Sequence, residues 1–156
     1  MSVAEAARKR DESSTATARV QSPPVKVLAL DYGSARTGVA VSDPTGTIAT
    51  PNGIVERAAT DDGIRRLAEL VREHEAEQIV VGLPLTLRGE HGAQAHETEQ
   101  FVERLRAAVG VPVVLFDERF TTGIAQRDRS ANAPEDARAA AHLLTSYLEW
   151  SSGARA

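Results

Sequence analysis

The stretch VKVLALDYGSARTGVAVS, at residues 25–42, decides the fold of this chain. Its first part, VKVLAL (25–30), is an apolar run rich in β-branched residues, which predicts a buried strand. The segment DYGSART (31–37) carries turn-forming residues, and GVAVS (38–42) predicts a second strand. The two strands are therefore expected to form a hairpin, with Asp31 at the end of the first.

Beyond the hairpin, strands and helices alternate. The turn signal DPTG (43–46) precedes a third strand, which we place at residues 47–49 and, after Pro51-Asn52-Gly53, at 54–56. Apolar runs and helical spacing then predict a helix capped by Thr60 and running to about residue 74, a strand at 78–85, a helix at 93–109, a strand at 111–117, a short helix at 122–129 and a last helix from near Pro134. This order predicts an α/β fold, a mixed five-stranded sheet with three antiparallel strands and then βα units, flanked by helices.

Length and composition limit the class of protein. The 156 residues, 42% hydrophobic and 26% charged, fit one domain, which we place at 25–150 between disordered tails at 1–24 and 151–156. The sequence has no apolar run of membrane-spanning length and no secretory signal pattern, so we expect a cytoplasmic protein that does not bind membranes. The absence of cysteine excludes disulfides and thiolate metal sites.

Carboxylates follow predicted strands at two places and begin the last helix. Asp31 directly follows the first strand, Asp117 and Glu118 lie at the end of the last strand, and Asp136 lies in the first turn of the last helix. Each has an ordinary interpretation, since Asp favours turns and an acid at a helix start complements the helix dipole. Converging carboxylates instead need a counter-ion, and Mg²⁺ prefers such oxygen ligands.

Four segments together resemble the YqgF (RuvX) family. They are DYGSARTGVAVSD (31–43), VVGLPLTLRGEHGAQA (80–95), FDERFTT (116–122) and EDARAAAHLLTSYL (135–148), and they span most of the predicted domain. The resemblance implies an RNase H-like fold and a metal-dependent nuclease that uses Mg²⁺ or Mn²⁺. It implies that the nuclease matures the 5′ end of pre-16S rRNA or, alternatively, resolves Holliday junctions.

The resemblance also implies the residues of the site. Asp31, Glu118 and Asp136 match the family's acids and are the expected catalytic residues and metal ligands. Asp117 remains a possible participant, although neighbouring side chains on a strand point to opposite faces.

Basic and hydroxyl side chains near these acids are candidates for nucleic-acid binding. They are Arg119, Thr122, Arg88, Arg127 and Arg129. Arg119 either contacts phosphate or forms a structural salt bridge to a carboxylate. The loop between Thr122 and Asp136 is shorter than in the family pattern, which concerns substrate binding more than fold.

Two other functions remain open at the sequence level. The opening DxGxxxxGVA also resembles the phosphate loop of actin-like ATPases, but those proteins need two such domains. A non-catalytic module that binds the pre-ribosomal particle during ribosome assembly is compatible with the net charge of −4. The expected partner is RNA or branched DNA, bound by a monomer or homodimer. Trp150 either forms part of a dimer interface or packs against its own domain.

Overall fold

The computed structural model describes residues 25–121 and 133–155. Its elements are β1 (Val27–Asp31), β2 (Arg36–Ser42), β3 (Ala49–Glu56), α1 (Asp61–Glu73), β4 (Gln78–Leu83), α2 (Ala93–Ala108), β5 (Val113–Asp117), a 3-10 helix (Glu118–Phe120) and α3 (Glu135–Arg155). Thr60 caps α1 as predicted, since its hydroxyl accepts a hydrogen bond from the Gly63 amide at 3.2 Å. The predicted N-terminal tail and the short helix at 122–129 lie outside the described residues.

The five strands form one mixed sheet in the order β3-β2-β1-β4-β5. β1 pairs antiparallel with β2, and β2 pairs antiparallel with β3. β4 pairs parallel with β1, and β5 pairs parallel with β4. The predicted mixed five-stranded sheet is thereby confirmed, and β1 is its central strand.

Helices cover the two faces of the sheet, because side chains alternate along each strand. Leu28 and Leu30 of β1 pack in the core that α1 and α2 close. Val27 and Ala29 pack in a second core, closed by α3 through residues such as Leu144. Asp31 continues the alternation of Val27 and Ala29, so it belongs to the face that α3 covers.

Two predictions about element boundaries were wrong. The third strand is continuous from Ala49 to Glu56 rather than interrupted at Pro51. β3 is an edge strand, where a proline without an amide proton is tolerated. The prediction of a disordered tail from residue 151 is also wrong, because α3 continues to Arg155. A glycine such as Gly153 lowers helix stability by only about 1 kcal/mol, which does not end the helix.

Within the described residues, no helix is both long enough and apolar enough to cross a membrane.

Candidate active site

Asp31 lies at the end of the central strand, and the neighbouring strand on each side carries a glycine beside it. On one side the register pairs Asp31 with Gly38 of β2. On the other side, Leu30 pairs with Val81 of β4. Gly82, the next residue of β4, therefore lies beside Asp31. Neither neighbouring strand therefore places a side chain of its own beside Asp31.

Gly38 lets the start of α3 rest directly on β2. A Cβ atom at Gly38 would lie only 1.8 Å from the backbone oxygen of Asp136. This contact brings the first turn of α3 to the strand beside Asp31. Burial raises the pKa of the Asp31 carboxyl, and the charge of Asp136 raises it further.

Gly82 makes the corresponding space for Glu118. A Cβ atom at Gly82 would lie 2.8 Å from Oε2 of Glu118 and 2.9 Å from its Cγ. The Glu118 side chain therefore lies over β4, on the other flank of Asp31. Its pKa is raised by burial and then by the charges of Asp31 and Asp117.

Asp117 is turned to a different partner. Its carboxylate accepts hydrogen bonds from the Arg119 guanidinium at 2.6–3.1 Å and from the Arg119 amide at 2.9 Å. The hydrogen bonds from the guanidinium hold the pKa of Asp117 below its ordinary value. The sequence left Asp117 open as a participant and left Arg119 with two alternatives. The structure pairs these two residues with each other and places Glu118 beside Asp31.

Arg36 is a residue of this site that the sequence interpretation missed. Its Nε donates to Oδ2 of Asp136 at 3.0 Å, although the two residues are 100 positions apart. Arg36 is the first residue of β2, two positions before Gly38. The sequence offers one signal for Arg36. It is a charged residue at the start of the strand that pairs with the strand carrying Asp31, an expected metal ligand.

The oxygen donors around Asp31 suit a hard divalent cation. Among the described residues, neither the Asp31 nor the Glu118 carboxylate accepts a hydrogen bond or pairs with a cation. Such half-buried carboxylates repel one another unless a counter-ion joins them. In the part of the chain that the structure describes, no three acidic or histidine side chains are yet close enough to hold one ion. Asp136 instead directs one carboxylate oxygen to Arg36.

The remaining candidates for nucleic-acid binding are only partly placed. Arg88 is exposed on the loop after β4. Arg119 reaches the same loop, where its Nη1 donates to the Leu87 carbonyl at 3.4 Å. The structure thus brings the Arg88 loop and Arg119 together. Thr122, Arg127 and Arg129 lie outside the described residues.

Comparison with known proteins agrees with this fold. The family model RuvX, described as Holliday junction resolvase, matches residues 25–150. A protein of Mycobacterium sp. strain KMS is 43% identical over 132 residues, covering 78% of each chain. A Roseiflexus protein is 41% identical over 108 residues, covering 69% of this chain and 77% of its own. Both carry the provisional name pre-16S rRNA nuclease.

A solved structure, Thermus thermophilus RuvC in complex with a Holliday junction substrate, has the same fold. Its TM-score is 0.61 at 15% identity, with 83% of this chain and 96% of that chain covered. A second structure of Thermus thermophilus RuvC gives a TM-score of 0.56 at 18% identity. At these identities the likeness concerns the fold alone, and it confirms the RNase H-like prediction.

Proposed function

Because this chain belongs to the RuvX family and is a nuclease, we propose that it hydrolyses phosphodiester bonds with Mg²⁺ or Mn²⁺ held by Asp31, Glu118 and Asp136. One observation carries the proposal. Asp31 at the end of β1 and Glu118, which lies over Gly82 of β4, are two half-buried carboxylates with no cation paired to either in the described part of the chain. A site of this kind is costly for folding and is typical of positions selected for function.

The three proposed ligands would approach the cation from three different elements of the fold. Asp31 is fixed on the central strand, and Glu118 approaches it over Gly82. Asp136 approaches from the start of α3 and keeps one oxygen on Arg36, which leaves its other oxygen available as a ligand. When bound, a divalent cation in such a site activates water and stabilises the leaving oxygen of a phosphodiester.

Arg119 and Arg88 are the proposed phosphate contacts on the β5 side of the acids. Arg119 neutralises Asp117 and spans to the loop that carries Arg88. An exposed guanidinium on this loop suits a phosphate, since arginine pairs with phosphate bidentately. Thr122, Arg127 and Arg129 complete the proposed contacts.

We assign precursor 16S rRNA as the substrate, because the named relatives carry that activity in their names. A cytoplasmic location follows from this substrate. The Holliday junction is the second candidate, favoured by the description of the matching family model. A resolvase acts on two strands by two-fold symmetry, so the second candidate requires a homodimer whereas the first allows a monomer.

The test compares the wild type and Asp31→Asn on a pre-16S rRNA fragment and on a four-way DNA junction. Each is assayed with Mg²⁺, with Mn²⁺ and with EDTA. Asp62→Asn is the matched control, because Asp62 is an exposed carboxylate at the start of α1. We expect cleavage of the RNA fragment by the wild type and by Asp62→Asn, only with metal.

The outcomes separate the alternatives. Full cleavage by Asp31→Asn contradicts the assigned site, and cleavage of the junction alone replaces the first substrate by the second. Co-sedimentation of an inactive wild type with pre-ribosomal particles, retained by Asp31→Asn, would identify a binding module instead of an enzyme.

A further inference from the structure

We propose that Phe120 and Trp150 form an aromatic platform on which an unpaired nucleobase of the substrate stacks. The inference rests on the proposed function, since it concerns the substrate of the same nuclease site. It adds a site for a base, which none of the acids or arginines provides.

The platform is built on one buried ring. Phe116 of β5 is 4% exposed, and its ring centroid lies 6.0 Å from that of Phe120 and 5.7 Å from that of Trp150. Trp150 also contacts Tyr147 at 6.1 Å. These contacts restrict both outer rings, which lowers the entropy cost of stacking a base on their exposed surface.

These two aromatic residues remain about half exposed to solvent. Phe120 is 55% exposed and Trp150 is 52% exposed. Among the described residues, the other exposed large hydrophobic side chains are aliphatic: Ile48, Ile54 and Leu87. The two exposed aromatic rings thus share a single place on the surface, where they pack on the same side chain.

The surface formed by Phe120 and Trp150 is continuous with the surface around Glu118. Phe120 ends the 3-10 helix that begins with Glu118, so one turn of backbone carries both a proposed metal ligand and a platform ring. A nucleic-acid strand whose phosphate reaches Glu118 would therefore pass close to Phe120. That continuity favours a base as the occupant rather than a second copy of the chain.

Charge supports the same occupant. The chain has a net charge of −4, the Asp31 and Glu118 carboxylates lie close enough to interact, and Arg119 is already paired with Asp117. Attraction to phosphate is therefore weak, whereas base stacking on an aromatic ring does not depend on counter-ion release. Every base has a π-face, so the platform selects for unpaired strands and not for sequence. A base within an intact duplex is stacked on its neighbours and cannot reach the platform.

Trp150 is the only tryptophan in the sequence, which makes the proposal directly measurable. The intrinsic fluorescence of the full chain is titrated with a single-stranded RNA oligonucleotide and with the same sequence as a blunt duplex. Ca²⁺ replaces Mg²⁺ in one series and EDTA is present in the other. We expect the single strand to quench the fluorescence in at least one series, and the duplex to leave it unchanged.

Substitutions identify the rings. Binding of a labelled single strand, followed by anisotropy, should weaken by about 5- to 150-fold in Phe120→Ala and in Trp150→Ala. Ile48→Ala is the matched control, because Ile48 is 49% exposed and apolar. Phe120→Tyr keeps an aromatic face and should restore most of the affinity. Thermal unfolding verifies that each variant is folded.

Three results would overturn the platform. They are equal quenching by duplex and single strand, unchanged affinity in folded Phe120→Ala and Trp150→Ala, or a concentration-dependent shift of tryptophan emission without RNA that marks a dimer. Cleavage with Mg²⁺ is measured on the same samples. Cleavage without quenching refutes the platform and leaves the nuclease, while quenching without cleavage does the reverse.

Discussion

At the scale of single residues, two glycines determine how closely Asp136 and Glu118 approach Asp31. Gly38 admits the Asp136 backbone and Gly82 admits the Glu118 side chain, one on each flank of Asp31. A motif search assigns such glycines to turns, because glycine adopts backbone angles that other residues avoid. Here both lie within strands, and what matters is the missing Cβ atom.

Replacing Gly82 by alanine should displace Glu118 while leaving the sheet intact. The added Cβ would lie 2.8 Å from Oε2, and a side chain can move where a backbone cannot. Misplacing a catalytic group by about 1 Å can reduce the rate about 100-fold, so we expect a loss of that order in the cleavage assay. Gly110→Ala is the control, since nothing lies within 4 Å of its Cβ position. Unchanged cleavage by Gly82→Ala would show that Glu118 needs no such space.

Arg36→Ala should weaken the binding of Mn²⁺, measured by titration calorimetry, by about 10- to 100-fold. Without Arg36, Oδ2 of Asp136 loses its partner and the carboxylate loses its orientation. Arg36→Lys should recover part of the affinity, because it keeps the charge. Arg65→Ala serves for comparison, since Arg65 pairs with Asp62 at a similar side-chain exposure of 65% against 61%. Tighter Mn²⁺ binding by Arg36→Ala would mean that Arg36 competes with the cation.

Asp31→Asn should stabilise the metal-free protein at neutral pH. The folded-state pKa of Asp31 is raised by burial, so the protonated form is favoured in the folded state. Stability that depends on this proton is present below the unfolded pKa and is lost as the pH rises through the folded pKa. Urea unfolding in EDTA should therefore show a gain of about 0.5–2 kcal/mol for the variant at pH 7.

That gain should disappear as the pH falls towards the ordinary pKa of aspartate. Mn²⁺ should reverse the order at pH 7, because a ligand of the folded state stabilises only the protein that binds it. Asp62→Asn should show neither effect. A wild type that is more stable than Asp31→Asn in EDTA at pH 7 would contradict the electrostatic account.

At the scale of elements, the turn between β2 and β3 depends on one carboxylate. Asp43 accepts hydrogen bonds from the amides of Thr47 and Ile48, each at 2.8 Å, and from the Thr45 hydroxyl. The Asp43 amide also donates to the Ile48 carbonyl at 2.9 Å. The amide of Ile48 and its neighbours hold the pKa of Asp43 well below its ordinary value.

Asp43→Asn should therefore destabilise the protein at neutral pH, with a sign opposite to that of Asp31→Asn. A lowered folded-state pKa contributes stability above the unfolded pKa, and that stability is lost as the pH falls through the folded pKa. In urea unfolding, the gap between wild type and variant should narrow on acidification. A gap that stays constant from pH 7 to pH 3 would assign the loss to turn geometry instead of charge.

α3 shows how one element connects distant parts of the surface. Asp136 in its first turn lies beside Asp31, while Trp150 lies 14 residues further along and contacts Phe116 of the edge strand β5. The helix rises about 1.5 Å per residue, so it carries these groups about 20 Å apart. The helix crosses the sheet between them and buries Leu144 in the core on the way.

At the scale of the whole molecule, the sheet separates stability from function. The core against α1 and α2 consists of apolar side chains from five strands and two helices. The opposite face carries the second core and, at the strand ends, all three proposed acids. Substitutions in the first core are thus expected to affect folding, and those at the strand ends to affect chemistry.

The sequence alone determined the order of strands and helices, and it predicted the three acids of the proposed site. Apolar periodicity is a local property, so it can be read along the chain without knowing any long-range contact. The parallel and antiparallel pairing also followed, because hairpins join neighbours and helices join parallel strands. The YqgF resemblance, confirmed by the family match over residues 25–150, supplied the expected chemistry.

Only the tertiary structure decided which partners these residues take. That Glu118 lies over Gly82 and that Arg36 holds Asp136 are consequences of packing between elements, whereas the local pairing of Asp117 with Arg119 decided between alternatives that the sequence had left open. The direction of a side chain beyond a strand end depends on the free space offered by neighbouring strands, which no local pattern encodes. The contact between Arg36 and Asp136 arises only when the C-terminal helix α3 packs on β2, a strand near the start of the domain.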